Sequence, residues 1–531
     1  MASPLETSAI LSGDEIRPYR IHVSSKYLDL TRQKLELTRL PHDTPEPRSQ
    51  DWWEPKPQIE PLIDFWLEKY DWREQQRILN AQLPQFRTAV QVPGAVETSS
   101  VRIHFVHARS PHAHAVPLLL IPPFPFTNLS LGHIIRPLTE PEDPGTQQPF
   151  HIVVPSLPGL GFSDALPSDV TVIPTVAEIL DTVMARLSYT SYIASNTASA
   201  AASLAEIDWK LANHLAANYA DSCVGVHFIN PPLAAPKLAE APLEWMKWSI
   251  AKFFRAPILG YKSEDFRSLD RVETPSTTSQ IPTSLIEPNT PSFALCDSPV
   301  GLLALVLKVL RVLGVRREFS PTDVVSLTQA AWLPGPESAM RFWAHCLAHE
   351  DERPAKKPAA RPRIALTVFS GDEEVRQDDV EARAVSPRPP TGSYACPAWA
   401  NVSYDVLHTQ RVPGSAGLVA WDSPELIFTG ARGLAKRLLS RDDRLRSAEQ
   451  PGTAPLQGLT IQSDSAPGQI PRTPGDTMPS TPQVEASWRL ERIREASETP
   501  KKSQNDGGRA DADVDFDQAS PDTIVVTPPS N

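Results

Sequence analysis

The chain has 531 residues, of which 40% are hydrophobic, and carries 56 prolines and a formal charge of −12. The acidic balance excludes general nucleic-acid binding, which needs a basic surface. The low apolar fraction implies that part of the length does not pack into a core.

In chain order, the N-terminus Met-Ala-Ser-Pro-Leu-Glu-Thr lacks the apolar stretch of a signal peptide, and residues 1–15 read as flexible. Residues 16–109 form a mainly helical region. Tyr27 to Leu35 and Pro61 to Trp72 place apolar side chains at helical spacing, the latter through Leu62, Ile63, Phe65, Trp66 and Tyr70. Val101-Arg-Ile-His-Phe-Val-His107 alternates as a half-buried strand does. Residues 110–234 alternate strand and helix. Strands are expected at Pro117–Ile121, Ile152–Pro155, Tyr192–Ala194 and Gly225–Ile229, and helices at Val176–Leu187 and Trp209–Tyr219. Such alternation implies a mostly parallel, doubly wound α/β sheet covered on both faces.

Residues 235–350 are rich in helix signals and lack strands, as an inserted cap would be. The apolar run Val300 to Val315 contains Lys308 and Arg311. It is too short and too charged for a membrane span and reads as a packed amphipathic helix. Residues 351–441 return to the core. Arg363–Phe369 is a strand, 376–398 a charged, proline-rich surface insertion, and Leu418–Ile427 leads into a last helix ending near Leu439. From 442 to 531, Pro, Ser, Thr, Gly and acidic residues dominate, the composition of a disordered tail.

Cys223, Cys296, Cys346 and Cys396 are widely spaced and form no CxxC pair. Neither a disulfide framework nor a zinc site is expected, and a reducing compartment follows. No metal or cofactor is called for. Cytoplasmic residence is expected, and nuclear residence is compatible with the same features.

Several segments resemble epoxide hydrolases of the type with an N-terminal helical extension. They are Trp66 through Tyr70-Asp-Trp-Arg73, Leu83-Pro-Gln-Phe86, Ile103-His-Phe-Val-His107, Pro155-Ser-Leu-Pro-Gly-Leu-Gly-Phe-Ser163, Asp297-Ser-Pro-Val-Gly-Leu-Leu303 and Asp422-Ser-Pro-Glu-Leu426. The resemblance runs from Ile16 to Leu439. It implies an α/β-hydrolase fold with a helical extension and an inserted helical cap. The implied reaction turns an epoxide and water into a vicinal diol. A carboxylate attacks the epoxide and forms an ester. A histidine, oriented by an acid, activates water to cleave that ester. Cap tyrosines protonate the alkoxide, and a His-Gly-Trp-Pro turn donates backbone N–H groups to the oxyanion.

This chain departs from each of those parts. The turn reads Pro122-Pro123-Phe124-Pro125, and proline has no N–H to donate. Aligned from the preceding strand, the nucleophile position holds Thr197, flanked by Ser195 and Ser199. A threonine hydroxyl is a weak nucleophile toward an epoxide, and its product would be an ether that water does not readily cleave. Aligned from the following strand, the position falls at Glu206 or Asp208, and Asp208-Trp209 repeats the family's aspartate–aromatic pair. The plain alternative is a capping acid and a core tryptophan at a helix start. The histidine slot, counted back from Trp421-Asp422-Ser423-Pro424, is Gly417, and His408 lies nine residues earlier. Asp372, in Gly371-Asp372-Glu373-Glu374, could orient a base, though three successive acids also suit a solvated loop. The cap tyrosine positions hold Gln280 and Trp343.

Two functions remain open. One is an enzyme in which Asp208 or Glu206 attacks and His408, His227 or His214 acts as base. The other is a catalytically silent α/β-hydrolase-fold module that binds a small apolar molecule or a protein. The tail adds a candidate partner segment within 487–527. Ser487–Ala496 has a short helical pattern. Asp511-Ala-Asp-Val-Asp-Phe-Asp517, followed by Asp522-Thr-Ile-Val-Val-Thr527, resembles an edge-strand motif for small ubiquitin-like modifiers. Thr473, Thr481, Thr499 and Thr527 each precede proline and are candidate phosphorylation sites.

Overall fold

The computed structural model describes residues 15–42, 55–95, 99–199, 206–272, 287–314, 317–348, 361–371, 394–414 and 416–445. All belong to the first of two units, Met1–Ala454; the second, Pro455–Asn531, lies outside the described residues. So do Gln280, Asp372, residues 376–393 of the expected surface insertion and the tail segments within 487–527. The end of that insertion, 394–398, is described and is buried rather than on the surface, because Tyr394, Cys396 and Ala398 pack into an apolar cluster with the helices at Pro242–Phe254 and Ser263–Val272.

The N-terminal part runs β1 (Arg17–Pro18), α1 (Ser25–Glu36), α2 (Lys56–Glu68), α3 (Trp72–Gln82), β2 (Gln85–Gln91) and β3 (Ser100–Ala108). The alternating part follows as β4 (Val116–Ile121), α4 (Gly132–Thr139), β5 (Phe150–Pro155), α5 (Val172–Arg186), β6 (Tyr192–Asn196), α6 (Ile207–Asn218) and β7 (Cys223–Ile229). Among the described residues, helices alone come next: α7 (Pro242–Phe254), α8 (Ser263–Val272), α9 (Asn289–Asp297), α10 (Pro299–Val312), α11 (Pro321–Trp332) and α12 (Glu337–Ala348). The chain then returns through β8 (Arg363–Phe369), β9 (Asp405–Val412), α13 (Val419–Asp422) and α14 (Glu425–Leu439).

The nine strands among the described residues form one sheet in the order β1-β2-β3-β5-β4-β6-β7-β8-β9. The β1–β2, β2–β3 and β3–β5 pairings are antiparallel, and the rest are parallel. Every residue of β4, β5, β6 and β7 is buried. A central parallel strand is covered on both faces, so its sequence is continuously apolar rather than alternating. Successive residues of β4 serve opposite faces. Leu119 and Ile121 pack with α5 and α6, whereas Leu118 and Leu120 pack with α4 and α14.

The N-terminal extension grips the cap. Leu35, Ile59, Ile63 and Trp66 pack against Leu303, Leu310 and Val325. The Trp66 indole donates to Gln329 Oε1 at 2.8 Å, and the Trp332 indole donates to Thr31 Oγ1 at 3.0 Å. The apolar run at 300–315 is α10 for most of its length, and its Leu303, Leu310 and Leu313 are buried in this cluster. Among the described residues no single helix is long and apolar enough to cross a membrane; α9 and α10 would match as a pair but bend by 116°.

The Pro155–Ser163 motif is a closed loop that meets the cap. Ser156 Oγ donates to Leu160 O at 2.8 Å, and Ser163 Oγ donates to Ser156 O at 2.8 Å. Gly159 has φ +79°, and a Cβ there would sit 3.1 Å from Ser338 Cβ on α12. Glycine is required for both reasons, since the backbone is left-handed and the contact is close.

Candidate active site

The first landmark is the turn after β6. Thr197 is fully buried, and its hydroxyl donates to Ile121 O at the end of β4, 2.7 Å away. Asn196 donates to Ala198 O at 2.6 Å and accepts from Ile229 N at 2.9 Å. Ser199 Oγ accepts from the Asn230 amide at 3.2 Å. Each polar side chain of the turn is therefore spent on backbone or a neighbouring loop. A nucleophile elbow is strained so that its reactive atom projects into the site. Thr197 is not among the non-glycine residues with positive φ, whereas Glu206 is, with φ 54° and ψ 28° at the N-cap of α6.

Asp208 lies in the first turn of α6, fully buried, and its Oδ2 accepts from Ala198 N at 3.3 Å. The structure thus brings Asp208 and Thr197 to the same turn. The 122–125 turn lies over it. Phe124 is buried 6.0 Å from Phe342 of α12, ring to ring, and the Phe124–Pro125 peptide is cis. Pro122 and Pro123 supply no N–H, and Phe126 N is already bonded to Pro123 O at 2.8 Å. Trp343, the described one of the two cap positions, is half-buried on α12 and packs against the α5–α6 side of the core.

Residue 417, where the resemblance would place the histidine, has little room for a side chain. Gly417 has φ +55°, and a Cβ there would collide with the Asp422 carboxylate and lie 3.1 Å from Gly314 O. The Asp422 carboxylate accepts from Leu418 N and Arg317 N, both at 3.0 Å. The carboxylate of Asp422, the last residue of α13, thus fills the volume into which a side chain at 417 would project. Sequence reasoning did not foresee that Asp422 packs against residue 417.

The other imidazoles have separate settings. His227 lies on β7, fully buried, with Nδ1 2.9 Å from Ser195 Oγ and Nε2 2.9 Å from Thr367 Oγ1. His408 lies on β9. A Cβ built on Gly430 would collide with His227, and one on Gly433 would lie 2.5 Å from the His408 ring. Both rings therefore sit under α14, on the face of the sheet opposite α6 and Asp208. His214 is six residues beyond Asp208 on α6, about 9 Å further along the axis at helical rise. The structure does not bring His227, His408 or His214 to the elbow. The Ser195–His227 pair resembles a nucleophile and base, but it is sealed within the core.

Burial pushes the imidazoles of His104, His107 and His227 down to about 3, and that of His151 to about 4, from an ordinary 6.5. Each is neutral when folded, whereas the unfolded chain binds a proton below 6.5. Stability therefore falls as pH drops through that window and is flat above it. His227 alone should cost about 2 kcal/mol between pH 7 and pH 5. Thermal unfolding at the two values checks this; an unchanged melting temperature would contradict neutral burial.

Surface depressions of about 220 and 210 Å³ lie elsewhere. One is lined by Tyr27, Cys296 and the 332–337 loop, the other by Cys223, Arg361, Arg363 and Arg444. Among the described residues no group of three or more His, Cys, Asp or Glu side chains could hold a metal ion.

A family model for the epoxide hydrolase N terminus matches residues 16–131. The chain is epoxide hydrolase-like, on an α/β-hydrolase fold. Juvenile hormone epoxide hydrolase 1 of Ctenocephalides felis is 26% identical over 303 residues, which are 55% of this chain and 59% of that protein. The match thus spans only about three-fifths of that relative's length. An Aspergillus niger epoxide hydrolase structure covers 80% of this chain and 97% of its own, at 20% identity and TM-score 0.57. The juvenile hormone epoxide hydrolase structure from Bombyx mori covers 82% and 96%, at 20% identity and TM-score 0.57. These structures share the fold of this epoxide hydrolase-like chain, and fold does not carry activity with it.

Proposed function

We propose that this epoxide hydrolase-like protein has lost turnover and acts by binding, either a small apolar molecule or a protein. The observation that carries the reading is the carboxylate of Asp422 standing where a general base would project from residue 417. Without that base an ester, once formed, would stay. The bonded Thr197 hydroxyl and the donor-poor 122–125 turn support the same conclusion.

A second reading rests on Asp208, whose carboxylate reaches the elbow at Ala198. It would attack an epoxide carbon, open the ring to an alkoxide and leave an ester.

One assay separates the readings. The purified chain is incubated with a styrene-oxide-like epoxide, and diol and intact protein mass are followed. The expected result is no diol above the uncatalysed rate, with an apolar ligand raising the melting temperature instead. Diol formation that Asp208→Ala abolishes would overturn the silent reading. A stoichiometric mass adduct without diol, lost in Asp208→Ala, would mean that Asp208 attacks and hydrolysis is absent.

A further inference from the structure

The strand order reverses at β4: the chain passes from β4 to β5 on one side and then to β6 and β7 on the other. In an open α/β sheet, ligands bind outside the carboxyl ends of the strands at such a point. Asn230 follows the last residue of β7 there, next to the elbow. Its N–H donates to Thr367 O at 2.7 Å, and its φ of +44° is left-handed. Glycine would meet that backbone requirement at least as well as asparagine. The side chain therefore needs its own explanation.

Asn230 is only 8% exposed. Its amide nitrogen donates to Ser199 Oγ at 3.2 Å, while its Oδ1 is buried with no hydrogen-bond partner. Buried polar atoms are nearly always paired, because an unpaired one has given up water for nothing. Ser199 is 1% exposed, and its hydroxyl keeps its own proton while accepting from Asn230. The pair thus sets an acceptor beside a donor. Thr197 and the Ala198 N–H are already bonded, to Ile121 O and Asp208. The surroundings are apolar: Phe124, Phe342 and Leu233 belong to the core cluster on this side of the sheet. A hydroxyl answers both atoms of the pair, donating to Asn230 Oδ1 and accepting from Ser199. An ether or epoxide oxygen only accepts, and a hydrocarbon does neither.

We propose that Asn230 and Ser199 are the polar anchor of a site for an apolar alcohol, at the carboxyl ends of β6 and β7. This rests on the binding reading above and names the class of its small molecule.

The test is isothermal titration of the full chain with 1-phenylethanol, its methyl ether and ethylbenzene. The wild-type chain should bind the alcohol at least about tenfold more tightly than the other two. Asn230→Gly suits the left-handed backbone, so it should keep the wild-type melting temperature and bind the three probes alike. Ser199→Ala should weaken binding of the alcohol alone. Equal binding of alcohol and ether by the wild-type chain would leave Asn230 Oδ1 to an internal water and overturn the anchor, with the binding reading intact. A preference that survives in Asn230→Gly, or no binding of any probe, overturns it as well. Diol formed from styrene oxide would instead overturn the reading beneath, and the titration would still decide the anchor.

Discussion

Replacing Gly417 by histidine is expected to destabilise the protein by about 3 kcal/mol or more and to restore no epoxide turnover. The backbone at 417 is left-handed, with φ +55°, which costs a side chain about 1–2 kcal/mol by itself. The new Cβ meets the Asp422 carboxylate and Gly314 O. If Asp422 moves, the partly buried N–H of Leu418 loses its acceptor, at about 1–3 kcal/mol, whereas the exposed N–H of Arg317 can turn to water. Urea unfolding of Gly417→His, alone and with Asp422→Ala, measures the coupling. The double variant should recover part of the loss. A single variant as stable as wild type would mean that the slot is open.

Asp265→Ala should cost about 3–5 kcal/mol, the second large effect. Asp265 is fully buried on α8, and Arg411 of β9 donates to it at 3.1 and 3.2 Å. The Tyr394 hydroxyl donates at 2.5 Å, and Lys262 N at 2.7 Å. Removing the carboxylate leaves a largely buried guanidinium and a phenol unpaired. Replacing both members, as in Asp265→Leu/Arg411→Met, should lie closer to wild type, because no charge is stranded. Chemical denaturation ranks the three proteins. A loss below about 1 kcal/mol in Asp265→Ala would show that the latch between cap and sheet is solvated.

The central strands were legible because burial on both faces writes itself as Leu118–Ile121 or Ile152–Val154. Strands β2 and β9 were not recognised. Gln85–Gln91 mixes Phe86, Thr88 and Val90 with Gln85, Arg87 and Gln91, a weak alternation within a helical stretch. Asp405–Val412 is half-exposed at the sheet edge, where no apolar run is needed. His408 is therefore offered by the sequence as a candidate base, and its place on β9 under α14 had no local signature. The strand-to-helix spacing past Phe369 was the one signal that could have found it. At the elbow two alignments competed for one position. The fold accommodates both, because α6 brings Asp208 back to the turn that holds Thr197. The filling of the 417 slot was hidden for a different reason. It depends on a carboxylate whose direction no spacing encodes.

The polar row beneath α14 has a consequence for assembly. Ser195, His227 and Thr367 occupy three neighbouring strands and bond in series, with Gln410 on the fourth 3.5 Å from Thr367. Gly430 and Gly433 leave notches for the two imidazoles. A slip of any of these strands by one residue would drive a ring into the helix backbone and strand a hydroxyl in hydrocarbon. The row works as a ratchet pawl: it contributes little to cohesion and makes every misaligned pairing of the sheet expensive.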